Sequence, residues 1–337
     1  MKLSLRSLFI GTLPAIGVLL VSMLASAPAH AVLTCSATMT DVNFGPVNPL
    51  SSQTDGSATL SYSCSKNDGG TDSAMVCFHI GEPFGRQWNP RLMLSGSNTL
   101  QFQLYQDPGR TTLIWGSYGF GSATPASVQF TLSGSSGASS RTSGTIPLYG
   151  RVIGGQTGAI PGSYADVYQQ VDTAISINAV MGSTPPSTCP STYQGSYFPF
   201  TVSATVTKQC VVNAVSDVDL GTVPASAANV ANNGNISITC SNTTPYYVGL
   251  RPSNNSTVGA GLMSAPPGNT DKVPYQLYQN AGMTTLWGNT ATASSAGNGV
   301  AGSGTGVAKS HTVYVRAPSA DYQPDSYSDT VTVVVNY

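Results

Sequence analysis

The chain has 337 residues, of which 13 are basic and 14 acidic, so its formal net charge is −1. Charged residues make up only 8% of the sequence, and it contains no basic cluster of the kind that binds nucleic acid or anionic lipid. Glycine, serine, threonine, asparagine, proline and valine dominate, a composition that disfavours helices and suits short strands joined by turns.

The N-terminal segment has the pattern of a secretory signal peptide. Lys2 and Arg6 precede an apolar run at 8–24, and a small-x-small tripeptide ends at Ala31. A membrane anchor is the alternative, but a proline interrupts the run and a cleavage site follows it. The sequence therefore predicts export with removal of residues 1–31, and no later stretch is apolar for long enough to cross a bilayer.

Two parts of the sequence repeat one another. The blocks 35–65 and 210–241 each begin with cysteine, contain a Phe/Leu-Gly turn and an alternating strand, and end in Cys-Ser. Further along, QLYQDPGRTTLIWG returns as QLYQNAGMTTLWG, and PGSYAD returns as PDSYSD. Because order and spacing are kept, the sequence indicates a tandem duplication. We expect an N-terminal domain at 32–207 and a C-terminal domain at 208–337.

All six cysteines lie beyond the signal segment, an even number that favours three disulfide bonds in an exported protein. The cysteines that open and close each repeated block are equivalent, and two others have no counterpart in the second repeat. No CxxC or HxxxH spacing supports a metal site. The sequence therefore predicts the pairs Cys35–Cys64, Cys210–Cys240 and Cys77–Cys189.

Short segments that alternate apolar and polar residues, separated by turn residues, recur through both repeats. Examples are SATLSYSC and LQFQLYQ in the first repeat, and NISITC and HTVYVRA in the second. Helical periodicity is absent from the sequence. We therefore expect an all-β protein built of two tandem immunoglobulin-like antiparallel β-sandwiches.

The two repeats end differently. After the counterpart of its closing strand, the first repeat continues into one more alternating segment, whereas the sequence of the second repeat reaches Tyr337 within such a strand. We expect the first domain to complete its own sandwich and the second to lack its final strand. The self-completing residues are Phe200, Val202, Ala204 and Val206, and the residues expected to receive a strand are Val331, Val333, Val335 and Tyr337.

A sandwich without its last strand exposes an apolar groove and a row of unpaired backbone groups. An alternating segment from another chain fills such an edge by strand addition. The sequence therefore predicts that the second domain accepts a donor strand, lying beside 328–337. Only three residues, 32–34, separate the signal segment from Cys35, so we expect no donor strand from this chain and a place at one end of a linear polymer.

The repeated Cys…Gly…Cys-Ser block, the QLYQ…TTLWG segment and the PDSYSDTVTVVVNY ending resemble spore coat protein U-type domains. That family includes the subunits of archaic (Csu-type) chaperone–usher pili, and two such domains without a donor extension are similar to their two-domain tip adhesin. The resemblance implies export through the periplasm to the pilus tip, with attachment to surfaces and biofilm formation. It also implies four partners: a periplasmic chaperone, an outer-membrane usher, an adjacent subunit that donates an N-terminal strand, and an abiotic or host surface.

Three segments of the first repeat are expected at the pole away from the second domain, because its last strand should run toward that domain. They are 65–76, 116–144 and 181–198. Their aromatic rings would give a large contact area at little cost in ordering entropy. The alternative is that the rings fold back over the core. The candidate contact residues are Tyr118, Phe120, Tyr193, Tyr197 and Phe198.

The sequence contains no catalytic constellation. His79 and His311 lie in alternating strands, Glu82 is the sole glutamate, and no GxSxG or P-loop motif is present. We expect no enzymatic activity, no cofactor and no nucleic-acid partner. A glycan-binding lectin-type tip and a structural spore-coat or matrix protein stay open as alternatives to a surface-binding tip, and a secreted hydrolase is the least favoured.

Overall fold

The computed structural model describes residues 33–83, 86–118, 123–135, 139–190, 192–193 and 196–337. The predicted signal peptide and Phe120 lie outside these ranges. The described residues form β-strands, turns and a 3₁₀ turn at Gln170–Asp172, which agrees with the all-β expectation. No helix among them is long and apolar enough to cross a membrane.

The first domain packs a large sheet against a small one. Short strands follow from the alternation of apolar and polar residues, whose apolar members meet in one core within 33–206. The strands are β1 (Thr34–Met39), β2 (Val42–Val47), β3 (Thr54–Lys66), β4 (Gly70–Ile80), β5 (Arg91–Ser95), β6 (Asn98–Tyr105), β7 (Ala126–Gly134), β8 (Ser140–Val152), β9 (Gly162–Tyr168), β10 (Thr173–Met181) and β11 (Phe200–Val206). Their orders are β1-β3-β8-β6-β5-β9-β11-β2 in the large sheet and β10-β4-β7 in the small one.

Strand β11 is an interior strand of the large sheet. It pairs antiparallel with β9 and parallel with β2, so backbone groups on both of its edges are used. Phe200 stacks on Tyr168 with ring centroids 4.6 Å apart. The four predicted apolar residues of β11, Phe200, Val202, Ala204 and Val206, are all buried. The first domain thus contains the strand that completes it.

The second domain repeats this architecture in a smaller form, with its own core inside residues 210–335. Its strands are β12 (Cys210–Val215), β13 (Ala228–Cys240), β14 (Pro245–Arg251), β15 (Ala260–Ser264), β16 (Lys272–Tyr278), β17 (Val300–Ser303), β18 (Lys309–Ser319) and β19 (Thr332–Asn336). The sheet orders are β12-β13-β18-β16-β15 and β17-β14-β19. Strand β19 pairs with β14 and, within the described residues, with no second strand.

Equivalent hydrogen bonds in the two domains reflect the duplication. The indole Nε1–H of Trp115 donates to the carbonyl of Phe78 at 2.8 Å, and that of Trp287 donates to the carbonyl of Val248 at 2.9 Å. Both tryptophans come from the repeated TTLIWG/TTLWG segment, and both acceptors lie on the central strand of a small sheet. This bond fixes the same loop against the same strand in each sandwich.

All three predicted disulfide bonds are present in the structure. Cys35–Cys64 and Cys210–Cys240 join directly opposed residues of β1–β3 and β12–β13, with Cα atoms 4.1 Å apart in each pair. Cys77–Cys189 joins β4 to a segment that follows β10, with a Cα separation of 6.0 Å.

Truncating β11 should destabilise the first domain. Phe200→Ala removes a buried ring and should lower its free energy of unfolding by about 3 kcal/mol. Thr205→Ala, on the exposed side of the same strand, should cost less than about 0.5 kcal/mol. Urea unfolding of both variants measures the difference, and equal stabilities would contradict the assignment of β11 as a core strand.

Candidate strand-acceptor groove and tyrosine cluster

The second domain contains an open groove between its two sheets. Residues 216–223, which follow β12, form one wall, and residues 324–333, which lead into β19, form the other. The groove encloses about 410 Å³ over the core and continues into a part of about 560 Å³. Val218, Leu220, Met263 and Tyr327 line both parts, so the groove is continuous and has both apolar and polar residues along it.

The groove lies where β11 lies in the first domain. Strand β11 is held between β9, which contains PGSYAD, and β2, which contains FGPV. Their repeats in the second domain are PDSYSD at 324–329 and LGTV at 220–223, the two groove walls. Both FG/LG turns have the same geometry, since Gly45 and Gly221 adopt φ of +66° and +77°, where glycine is favoured.

Side chains on the groove wall are more exposed than their equivalents on β9 of the first domain. Tyr164 and Tyr168 of β9 are 2% and 0% exposed beneath β11. Their counterparts on the groove wall, Tyr327 and Val331, are only half-buried. The second domain therefore presents to solvent a surface that the first domain covers with a strand of its own.

The structure distributes the four predicted acceptor residues differently. Val331 and Val333 line the groove, whereas Val335 packs on the core and Tyr337 follows β19 with 42% of its surface exposed. Equivalence with the β9–β11 pair places the open backbone edge at 325–331, so the site lies nearer the start of the predicted 328–337 stretch. The opposite wall, 216–223, was missed, although the repeated FG/LG turn was its sequence signal.

A carboxylate faces the groove. Asp329 Oδ2 accepts a hydrogen bond of 2.6 Å from the Tyr275 hydroxyl, and Oδ1 accepts one of 2.8 Å from the Thr330 amide. Burial and this bond to Asp329 raise the pKa of Tyr275 well above its usual value, so Tyr275 stays a donor. The charged residues among the groove linings are all acidic, namely Asp217, Asp219, Asp325 and Asp329.

A second candidate surface lies on the small sheet of the first domain. The segment after β10, residues 182–190, 192–193 and 196–197, contacts all three strands of that sheet, and we call it the strap. Its carbonyl groups accept hydrogen bonds from Gln129 of β7 at 2.6 Å and from Asn178 of β10 at 3.0 Å. The Cys77–Cys189 bond fastens it to β4.

Two tyrosines and a buried histidine form a cluster where the strap meets β4, with Tyr193 contributed by the strap and His79 by β4. The His79 ring lies 5.2 Å from the Tyr118 ring and 5.1 Å from the Tyr193 ring, measured between centroids. Its Nε2 and Nδ1 atoms lie 2.8 Å and 3.3 Å from the hydroxyls of Ser176 and Ser117. Burial lowers the pKa of His79 to about 4, so the ring is neutral at physiological pH.

The rings of this tyrosine cluster remain accessible. Tyr118 is 41% and Tyr193 51% exposed, while their hydroxyls bond to the Cys189 carbonyl at 2.6 Å and to the Ser117 hydroxyl at 3.1 Å. Tyr197 is also 41% exposed. Tyr118 and Tyr193 thus present partly apolar rings next to His79, and the hydrogen bonds of their hydroxyls set the orientation of the rings.

Two expectations about this region were wrong. Phe198 is fully buried and packs edge-on against Phe78 at 6.2 Å, because it enters the core just ahead of β11. The three loop segments also do not share one pole. Parts of them meet near Thr71, where Gly182 donates to its carbonyl, but Tyr118 and Tyr193 lie near His79, toward the other end of β4.

An ion cluster that the sequence did not reveal supports β9 from inside. Arg91 is fully buried and donates to the Glu82 carboxylate at 2.7 Å and to the Tyr168 hydroxyl at 3.1 Å. Burial raises the pKa of Glu82 to about 8, with the Arg91 charge acting in the opposite direction. Arg86 bonds to the buried carboxylate of Asp166 nearby.

Among the described residues no cluster of histidine, cysteine, aspartate and glutamate is arranged to hold a metal ion.

The family model of the Spore Coat Protein U domain matches the chain twice, at residues 20–170 and 196–334. The chain belongs to the Spore Coat Protein U domain family. The first match contains β1 to β9 of the first sandwich, and the second contains β11, β12 to β18 and the start of β19. Comparison with curated protein sequences gives no match.

Solved structures similar to this Spore Coat Protein U protein include adhesin subunits. One chain in the crystal structure of the complex between the chaperone CsuC and the tip adhesion subunit CsuE from Acinetobacter baumannii is similar at 16% identity and a TM-score of 0.48. The match covers 90% of this chain and 100% of that one. The match to the CupB6 tip adhesin from Pseudomonas aeruginosa covers 90% of this chain and 94% of that one, at 11% identity and a TM-score of 0.35. The match to CfaE, the adhesive subunit of CFA/I fimbria of enterotoxigenic Escherichia coli, covers 77% of this chain and 81% of that one, at 10% identity and a TM-score of 0.31.

The tyrosine cluster should make the first domain sensitive to acid. Because the pKa of His79 is about 4 in the folded state and near 6.5 when unfolded, the unfolded chain binds the proton first. The contribution of His79 is therefore complete above pH 6.5 and is lost as pH falls toward 4, by up to about 3 kcal/mol.

Urea unfolding of the wild type and of His79→Gln, at pH 7 and at pH 4.5, checks this. We expect the wild type to lose more stability between the two pH values than the variant does. The pKa of His311 is also lowered by burial, but that residue is present in both proteins and cancels in the comparison. Identical pH dependences would contradict the role given to His79.

Proposed function

We propose that this Spore Coat Protein U protein is the adhesive tip subunit of a chaperone–usher pilus, exported to the cell surface. Its second domain accepts a donor strand from the next subunit, and its first domain contacts an abiotic or host surface. Before assembly a periplasmic chaperone covers the groove, and an outer-membrane usher receives the complex. The proposal contains no catalytic step.

One observation carries the proposal: the groove of the second domain lies at the position that β11 fills in the first. An open strand edge beside apolar side chains promotes aggregation unless it is covered. Strand addition covers it and satisfies the backbone at 325–331, with pockets at alternate positions that set the register. The family resemblance seen in the sequence supports the same partners.

Strand β11 supplies a probe for the groove. A peptide with the sequence of residues 199–207, PFTVSATVT, should bind the full chain and raise the unfolding temperature of the second domain. At 100 times the dissociation constant, binding adds about 2.7 kcal/mol of stability. Differential scanning calorimetry measures the shift.

Variants on and off the groove give the control. Val333→Asp places a charge on the groove wall and should abolish the shift, whereas Val258→Asp, on an exposed part of the same domain, should preserve it. A second domain that does not respond to the peptide, or the same response in both variants, would refute the acceptor function.

The surface-binding role falls to the tyrosine cluster together with Tyr197. Their exposed rings suit contact with apolar surfaces or sugars, because aromatic rings bury a large area with few rotatable bonds. Changing Tyr118, Tyr193 and Tyr197 together to serine should reduce adhesion of piliated cells to polystyrene at least several-fold while leaving the number of pili unchanged.

A matched variant changes Val167, Leu113 and Val171, which are exposed elsewhere on the first domain, to serine. It should adhere like the wild type. Adhesion that a defined sugar inhibits would favour the lectin alternative, and loss of pili rather than of adhesion in the tyrosine variant would favour a structural role.

A further inference from the structure

The carboxylate on the groove wall has an equivalent in the first domain. Asp166 of β9 corresponds to Asp329 in the repeated PGSYAD/PDSYSD segment. Asp166 is 1% exposed, points to the core side of the sheet, and lies directly opposite Val202 of β11 in the strand register. Its charge is compensated by the guanidinium of Arg86, from the connection between β4 and β5.

The second domain does not provide this compensation. The corresponding connection, residues 252–259, contains no lysine or arginine, and no basic residue lines the described groove. Two basic residues of β16 and β18, strands that border the groove, bond elsewhere. Lys272 donates to the Ser264 hydroxyl at 2.7 Å and Arg316 to the Tyr278 hydroxyl at 2.7 Å. Neutral groups, the Tyr275 hydroxyl and the Thr330 amide, are the partners of Asp329.

A strand that enters the groove would remove water from Asp329. Burying a carboxylate without a cationic partner is strongly unfavourable, whereas an ion pair with additional hydrogen bonds reduces that cost. The residue directly opposite on an added strand shares the inner face with Asp329, at a Cβ separation of roughly 5 Å. A lysine or arginine side chain at that position reaches the carboxylate.

We propose that the cognate donor strand presents a lysine or arginine opposite Asp329, within an otherwise apolar inner face. This inference rests on the proposed strand-acceptor function and specifies its partner. The ion pair would set the register of the strand, because a shift by two residues along the same face moves the cation opposite Tyr327 or Val331. The acidic groove as a whole favours the same kind of strand through its field.

Variants of the 199–207 peptide test the proposal. The Val202→Lys peptide places a cation opposite Asp329, and the Val202→Met peptide is a neutral partner of similar length. Fluorescence anisotropy with the full chain should show the lysine peptide binding about tenfold more tightly than the methionine peptide, the usual advantage of a charge-assisted hydrogen bond. With the Asp329→Asn chain, the methionine peptide should bind more tightly.

A second pair of peptides requires no protein variant. Residue 204 of β11 lies opposite Tyr164, the counterpart of Tyr327, so the Ala204→Met peptide should bind the wild type more tightly than Ala204→Lys. This inference alone would be overturned if the Val202→Lys and Val202→Met peptides bound the wild-type chain equally. It would also be overturned if the lysine peptide still bound the Asp329→Asn chain more tightly than the methionine peptide. If none of the peptides binds, the acceptor function fails and the inference fails with it.

Discussion

Backbone pairing at the edge of a sheet is the constraint on which the structure of this protein depends. A strand buried on one face has to satisfy its amides and carbonyls on both edges, or meet solvent there. In the first domain β11 meets this requirement for β9 and β2 at the same time. In the second domain the equivalent walls, 216–223 and 324–333, border a groove instead.

The two domains therefore share one sandwich architecture. The first contains a strand at the position of β11, and the second has a groove there. Their disulfides, their Trp-to-carbonyl bonds and their FG/LG turns match. The strap, the tyrosine cluster and the ion cluster all belong to the completed domain. The first domain supplies its own completing strand, whereas the proposed function requires the groove of the second domain to stay compatible with a partner strand.

Much of the fold follows from the sequence because its signals are local. Alternation identifies β11, and the repeated cysteine blocks determine the disulfide pairs. The misplaced features depend on the packing of distant segments. Phe198 shares the two-residue period of Phe200 and Val202, but it follows a polar, proline-rich stretch that is typical of a surface loop. The strap folds back over a sheet formed much earlier in the chain. An aspartate beside a strand, such as Asp329, is expected to be solvated or to cap a turn, whereas here it lines the groove and accepts a hydrogen bond from Tyr275.

Amide hydrogen exchange of the full chain, with and without the 199–207 peptide, tests the central claim most directly. A strand that pairs in the groove protects the amides at 325–331 and 218–223, while those at 162–168 are already protected by β11 and do not change. The account predicts this pattern, with slowed exchange limited to the two walls. Unchanged exchange at 325–331 in the presence of saturating peptide would contradict it.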